Sequence, residues 1–149
     1  MKTTRVLDLD ADQLFRCRPR FLNPDMTPWL WLARLDKENG TGNEFELHLV
    51  NASPHSLERV TAAVITTITV DDQAFGACSA DYVYEQVLPG QSVKLDESDG
   101  YYDLDYYMTV SIDIEASALG GQLHFCPPPH RGGARPQVLH AVPKLTKVS

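Results

Sequence analysis

The sequence contains few cysteines and no long apolar run. Its three cysteines, Cys17, Cys78 and Cys126, are an odd number without close pairing, which favours free thiols in a reducing compartment over a disulfide framework. No apolar stretch approaches the roughly 20 residues that a membrane-spanning helix needs. The N-terminal segment has basic residues but no uninterrupted apolar stretch behind them, so it does not resemble a secretory signal. These features predict a cytoplasmic protein.

The motifs of several enzyme classes are also absent. The sequence has no Gly-x-Ser-x-Gly nucleophile elbow, no Gly-rich phosphate-binding loop and no His-Glu-x-x-His zinc motif. Five histidines and 20 carboxylates can always be arranged into a hypothetical acid–base pair, so their presence alone identifies no catalytic residue. We therefore expect a protein that is not an enzyme and that needs no cofactor.

Basic residues are scarce in the middle of the chain, whose overall net charge is −7. Residues 71–115 contain 11 acidic residues and one base, Lys94, whereas the segment after Cys126 has four basic residues and no acidic one. An acidic surface keeps a protein in solution, repels nucleic acids and anionic membranes, and attracts basic partners. We expect neither nucleic acid nor membrane as a partner.

Alternation of apolar and polar residues is the strongest structural signal. In residues 106–115, five apolar residues alternate with five more polar ones, which is typical of a strand with one buried face. Residues 60–70 alternate similarly and are rich in β-branched side chains. Shorter candidate strands occupy residues 45–49, 81–88, 92–95 and 122–126. Residues 29–35 are apolar on both faces, which fits a strand that is covered on both sides. Together they predict an all-β fold, an antiparallel β-sandwich of six to seven strands.

The chain divides into three predicted parts. Residues 1–28 form an irregular arm, although residues 8–15 have the aspartates expected at the start of a short helix. Residues 29–126 form the β-sandwich domain, and residues 127–149 form a basic tail rich in proline and glycine. Within this tail, residues 137–142 are apolar enough to dock as an edge strand, on this chain or on a neighbour.

Three short motifs lie at strand boundaries: Asn51-Ala-Ser53 after one strand, Leu88-Pro-Gly-Gln-Ser92 before a short strand, and Asp99-Gly-Tyr-Tyr before the long one. With them, residues 45–114 resemble a small bacterial immunoglobulin-like or fibronectin-type-III-like sandwich. The Cys-Trp-Cys signature of antibody domains is absent. The resemblance implies a fold but not a function, because such domains serve in adhesion, ligand binding, chaperoning and spacing.

All six tyrosines lie in residues 82–107, close to several carboxylates. Aromatic rings beside carboxylates can form a protein interface or stack on sugars, while cross-strand packing explains part of such a cluster equally well. We therefore predict a protein–protein interaction module. The predicted contact residues, called the acidic tyrosine surface below, are Tyr82, Tyr84, Asp99, Tyr101, Tyr102, Asp103, Asp105 and Tyr107.

The tail is the second predicted contact element. Its basic charge would let the tail of one copy meet the acidic face of another copy or of a partner, and a homodimer is the simplest version. The predicted tail contacts are Arg131, Arg135, Val138 and Leu139.

The alternative prediction is a small-ligand module that binds carbohydrate or calcium through residues 96–107. The calcium ligands would be Asp96, Asp99, Asp103 and Asp105. The segment is not an EF-hand, because placing Gly100 at loop position six puts Leu95 and Tyr106 at the two essential end positions.

Two cysteine positions leave further alternatives open. His124 and Cys126 lie two residues apart but lack the paired short spacings of a structural zinc site. Cys17 lies between Arg16 and Arg18, whose charges would lower the pKa of its thiol. An ordinary thiol in a basic turn is the other interpretation.

Overall fold

The structure is a computed structural model that describes residues 4–21, 23–36, 44–70, 73–99, 107–131 and 133–144. For residues 44, 66–70, 73–81, 98, 99, 107 and 131 it describes the backbone alone. The described residues form one α-helix, α1 (Ala11–Cys17), and ten strands. The strands are β1 (Val6–Asp8), β2 (Met26–Asp36), β3 (Glu44–Asn51), β4 (Leu57–Val70), β5 (Gln73–Val87), β6 (Gln91–Asp99), β7 (Tyr107–Ala116), β8 (Gly121–Phe125), β9 (His130–Arg131) and β10 (Gln137–Pro143).

These strands form two antiparallel sheets. The first sheet has the order β1-β6-β3-β2-β10, and the second has the order β5-β4-β7-β8, with β9 also paired to β7. The predicted antiparallel β-sandwich is confirmed. Seven strands, β2 to β8, make up the predicted domain, which agrees with the six to seven strands predicted there, while β1, β9 and β10 lie in the N-terminal arm and the tail. Strands β1 and β9 have only three and two residues, which is too short for alternation to show in the sequence.

The main core lies between the two sheets. Leu30, Leu32 and Leu49 from the first sheet pack with residues from β4, β5 and β7 of the second. The contributions of β4 and β7 follow the period of two that was read from the sequence: Val60, Ala62, Val110, Ile112 and Ile114 are all buried. Each large aliphatic side chain that becomes fully buried contributes about 1.5–3 kcal/mol to folding.

The other face of the first sheet carries a second apolar cluster. Trp31 and Ala33 point away from the main core because they alternate with Leu30 and Leu32 along β2. The N-terminal arm and the tail supply most of its cover, through Leu9, Leu14, Cys17 and Val138.

The N-terminal arm is therefore more ordered than predicted. It was expected to be irregular, but it contains β1, which pairs with β6, and the seven-residue α1. Asp10 caps α1 by accepting the Gln13 N–H at 2.8 Å, while the Gln13 side chain accepts the Asp10 N–H at 2.9 Å. Of the helices in the described ranges, none is long and apolar enough to cross a membrane.

Candidate functional site

Two members of the predicted acidic tyrosine surface are buried, so they cannot belong to a surface. Tyr82 is 1% exposed and Tyr84 is 6% exposed, and their rings stack within the main core. Both lie on the face of β5 that turns towards the first sheet, whereas the intervening Val83 is exposed. The alternation in the sequence showed that Tyr82 and Tyr84 share one face of β5 and that Val83 lies on the other. It did not show which of these two faces is covered.

The remaining acidic tyrosine surface falls mostly outside the described residues. Tyr101, Tyr102, Asp103 and Asp105 lie in that part of the chain. The backbone places Asp99 at the end of β6 and Tyr107 at the start of β7. Asp96 is 8% exposed, and its Oδ1 accepts the N–H of Glu97 at 2.8 Å. Within the described ranges, no group of three or more His, Cys, Asp or Glu could hold a metal ion, and the calcium alternative stays a prediction.

The predicted tail contacts are divided between the surface and the interior. Arg135 is exposed, and the backbone of Arg131 lies in β9 opposite Tyr107. Val138 packs on the second cluster, and Leu139 packs against the main core. The side chains of these two apolar tail residues thus pack against their own chain.

The tail is attached to the first sheet along the whole of β10. Val138 lies opposite Trp31 and Val142 lies opposite Thr27. The register shifts by one residue between Val138 and His140 and shifts back between His140 and Ala141. The two ends of β10 therefore pair with β2 in the same register. The adjoining loop is held by Arg34, which donates to the carbonyl oxygens of Gly133 at 3.3 Å and Ala134 at 3.2 Å.

The outer edge of β10 is a possible contact site. Among the described strands, β10 pairs with β2 alone, so its second backbone edge lies at the border of the first sheet. Its sequence, Gln-Val-Leu-His-Ala-Val-Pro, contains no Asp, Glu, Lys or Arg. Proteins usually protect a sheet edge with charged residues, very short strands or irregularities. The described edge strand β10 has the irregularities and ends on a proline, Pro143, which also limits edge pairing, but it lacks the charges.

A buried polar network on β3 and β6 was not predicted from the sequence. His48 and Ser92 are fully buried, and Glu46 is 3% exposed. The His48 Nε2 lies 2.9 Å from Glu46 Oε1, and the His48 Nδ1 lies 3.0 Å from Ser92 Oγ. Because Glu46 and His48 alternate with Leu47 and Leu49, they share the face opposite the core, which sequence reasoning takes to be solvated.

Basic side chains complete this network. Arg5, from the segment before β1, donates from Nη1 to Glu46 Oε1 at 2.9 Å. Lys94 is 3% exposed, and its Nζ lies 2.8 Å from Glu97 Oε2 and 3.9 Å from Glu46 Oε2. Tyr84 closes the network, since its hydroxyl donates to the Lys94 carbonyl oxygen at 2.6 Å and accepts the Arg5 N–H at 3.2 Å.

The ionisation of the network follows from its burial and its partners. Burial lowers the pKa of His48, more than hydrogen bonding to Glu46 raises it, which favours the neutral ring, and a neutral ring that donates to the carboxylate carries its proton on Nε2. Burial alone would raise the pKa of Glu46, but the hydrogen bonds from His48 and Arg5 and the charge of Arg5 lower it overall. Burial raises the pKa of Tyr84. The network therefore places the Glu46 carboxylate between the cationic groups of Arg5 and Lys94, and Lys94 is also paired with the carboxylate of Glu97.

Ser92, His48 and Glu46 have the chemical order of a serine hydrolase triad, but their geometry differs. The serine bonds Nδ1 and the carboxylate bonds Nε2, whereas the hydrolase arrangement is the reverse. Ser92 and His48 have no exposed surface, and a nucleophile must reach its substrate. Within this arrangement, Glu46 also accepts the bond from Arg5 and so connects the N-terminal arm to the first sheet.

The described histidine and cysteine residues considered for zinc or reactivity do not form a group of three or more possible metal ligands. His124 Nδ1 lies 2.8 Å from Asp113 Oδ1 on the exposed surface of β7 and β8. Cys126 is an exposed free thiol and Cys17 is a partly buried one. Burial raises the pKa of Cys17, which contradicts the alternative of a pKa lowered by the neighbouring arginines and agrees with the interpretation as an ordinary thiol.

Comparison with known proteins adds no relative to this description: no protein-family model, no curated protein and no solved structure matches the chain.

Proposed function

We propose that the protein is a non-enzymatic, immunoglobulin-like protein-binding module that self-associates through the outer edge of β10. The strand order supports the immunoglobulin-like part of this proposal. Strands β2, β3 and β6 are neighbours in one sheet and β5, β4, β7 and β8 in the other. This corresponds to the A-B-E and C′-C-F-G neighbours of immunoglobulin-type sandwiches. Because that fold has many functions, the binding role needs its own argument.

The observation that carries the binding role is the uncharged edge of β10. It is seven residues long, and no other described edge strand of that length lacks Asp, Glu, Lys and Arg. A second β10 placed antiparallel across a two-fold axis would extend the first sheet from one chain into the next. Backbone hydrogen bonds would supply the affinity of such a dimer, so its stability should depend little on salt.

A non-enzymatic role is supported by the burial of the Ser92–His48–Glu46 network. The proposal also includes a cytoplasmic location, which rests on the odd number of cysteines. Nucleic acids and membranes are excluded as proposed partners on the basis of the net charge of −7.

Charge placed at the centre of β10 tests the self-association. His140 lies near the middle of the strand and is partly exposed, so two copies of it would lie close together at a two-fold β10 contact. Sedimentation equilibrium of the wild-type protein should give twice the 16.6 kDa chain mass. His140→Lys and His140→Glu should each be monomeric, and an equimolar mixture of the two should recover the dimer because opposite charges then meet.

Val83→Lys is the matched control, since Val83 is 44% exposed on the edge strand β5 of the other sheet. It should leave the dimer intact. A wild-type protein that is monomeric up to about 1 mM, the weak limit of specific association, would overturn the proposal. A dimer that survives His140→Lys would do the same. Point substitution is preferable to deletion of the tail, because deletion would also uncover β2.

A further inference from the structure

A second surface feature lies where the N-terminal arm meets the end of β10. A pocket of about 430 Å³ is formed there by the end of α1, the segment leading into β2 and the residue after β10, Lys144. This volume lies within the range of known ligand sites. We propose that this terminal pocket binds an acidic segment of a partner protein.

The charge of the lining is the first argument. Arg18, Arg20 and Lys144 line the terminal pocket, and none of the described lining residues is Asp or Glu. All three side chains are exposed. Three basic lining residues stand out in a chain whose net charge is −7. The planar guanidinium groups can each form two parallel hydrogen bonds to a carboxylate.

Aromatic side chains are the second argument. Phe15 is 70% exposed, the highest value among the large hydrophobic residues of the described chain. The Arg18 guanidinium carbon lies 5.4 Å from the centre of the Phe15 ring, a distance at which the cation and the ring attract each other. Exposed arginine and aromatic residues contribute disproportionately to protein binding. A peptide that offers a carboxylate beside an apolar or aromatic side chain fits both.

The structure fixes the relative positions of the two chain segments that build the pocket. The Lys144 N–H donates to the Asp25 carbonyl oxygen at 2.9 Å, and Pro143 lies opposite Met26 in the sheet. The Asp25 N–H in turn donates to the Asn23 side chain at 3.0 Å. The basic tail therefore contributes to the terminal pocket together with the N-terminal arm.

An acidic peptide is favoured over a nucleic acid by the rest of the chain. A polynucleotide extends its charge well beyond a pocket of this size, where it would meet a protein with 20 acidic and 13 basic residues. A short peptide places its charges locally. The inference goes beyond the self-association proposed above and does not depend on it, because Arg18 and Arg20 lie outside β10.

Fluorescence anisotropy with a fluorescein-labelled peptide of alternating glutamate and tyrosine tests the terminal pocket. We expect saturable binding that weakens as salt is raised, because the contacts are exposed charges. Arg18→Gln combined with Arg20→Gln should weaken it by about tenfold or more, as expected for charge-assisted hydrogen bonds. Arg59→Gln combined with Arg135→Gln, which removes the same charge from exposed positions outside the lining, should retain the wild-type affinity.

Several results would overturn the inference. One is equal binding of a peptide with glutamine in place of glutamate, and another is an equal loss of affinity in the two double variants. Displacement of the peptide by inorganic phosphate at an equal concentration would also overturn it, since it would indicate a general anion site. Lys144→Gln offers a second variant on a different segment, and it should weaken binding too. The titration is repeated with His140→Lys, the variant designed to prevent β10 pairing. Because the terminal pocket does not depend on that pairing, this variant should bind the peptide as the wild type does.

Discussion

Glu46 accepts hydrogen bonds from both Arg5 and His48, so replacing it with glutamine tests whether the buried network holds the N-terminal arm on the first sheet. Its side chain is 4% exposed, as is that of Lys94, whereas that of Arg5 is 25% exposed. Removing one partner of a buried ion pair costs about 3–5 kcal/mol. Arg5 can hydrate in part and the glutamine oxygen still accepts one bond, so we expect a loss of about 2–3 kcal/mol.

This loss is measurable by urea unfolding, followed by the fluorescence of Trp29 and Trp31 at about pH 7.5, where an ordinary glutamate is ionised. For a chain of this size it corresponds to a fall of about 4–12 °C in the melting temperature. Asp113→Asn is the control, because Asp113 and His124 form a carboxylate–histidine pair of similar length at the surface, with 67% and 58% of their side chains exposed. Exposed pairs contribute about 0–1 kcal/mol. If Glu46→Gln costs no more than Asp113→Asn, the network does not stabilise the fold as argued.

Two further predictions concern titratable groups. Because the pKa of His48 is lowered from 6.5 by burial, the unfolded chain binds more protons below about pH 6.5, and stability should fall as the pH decreases from there. Glu46, whose pKa is lowered from 4.5, should add a further loss only below about pH 4.5. The measurement is the urea midpoint of wild type and of His48→Gln at about pH 7.5 and 5.5. The midpoint should fall more between these pH values in the wild type, and an equal fall in both proteins would contradict the prediction. For the thiols, iodoacetamide should modify Cys126 several-fold faster than Cys17, because burial raises the pKa of Cys17 and limits access to it. Peptide mapping measures both rates, and similar rates in the folded protein would refute the prediction.

The central strands were predictable from the sequence because their signal is local. Along β4 and β7 the residues alternate with a period of two, and the apolar positions, such as Val60 and Ile112, are those that the structure buries. The connection between β7 and β8 consists of a 3-10 turn, Ser117–Leu119, followed by Gly120, and both Gly120 and Gly121 have positive φ angles of 107°, which glycine adopts readily. Turn residues and alternation thus determined the all-β class and most of the strand positions.

The tertiary structure decided which of the two faces of each strand is covered. Alternation shows that Glu46 and His48 share a face. It does not show that Arg5, which lies 41 residues before Glu46 in the chain, reaches that face. Tyr84 was predicted to lie on the surface because alternation does not show which face of a strand is covered. In the structure its hydroxyl donates to the Lys94 carbonyl oxygen of β6. The chain termini followed the same principle: the sequence did not predict β1, and it left open whether residues 137–142 would dock on this chain or on a neighbour, which the pairing of β10 with β2 decided. A sequence specifies which residues share a face, whereas burial depends on which distant segment packs against that face, and that is a property of the folded chain.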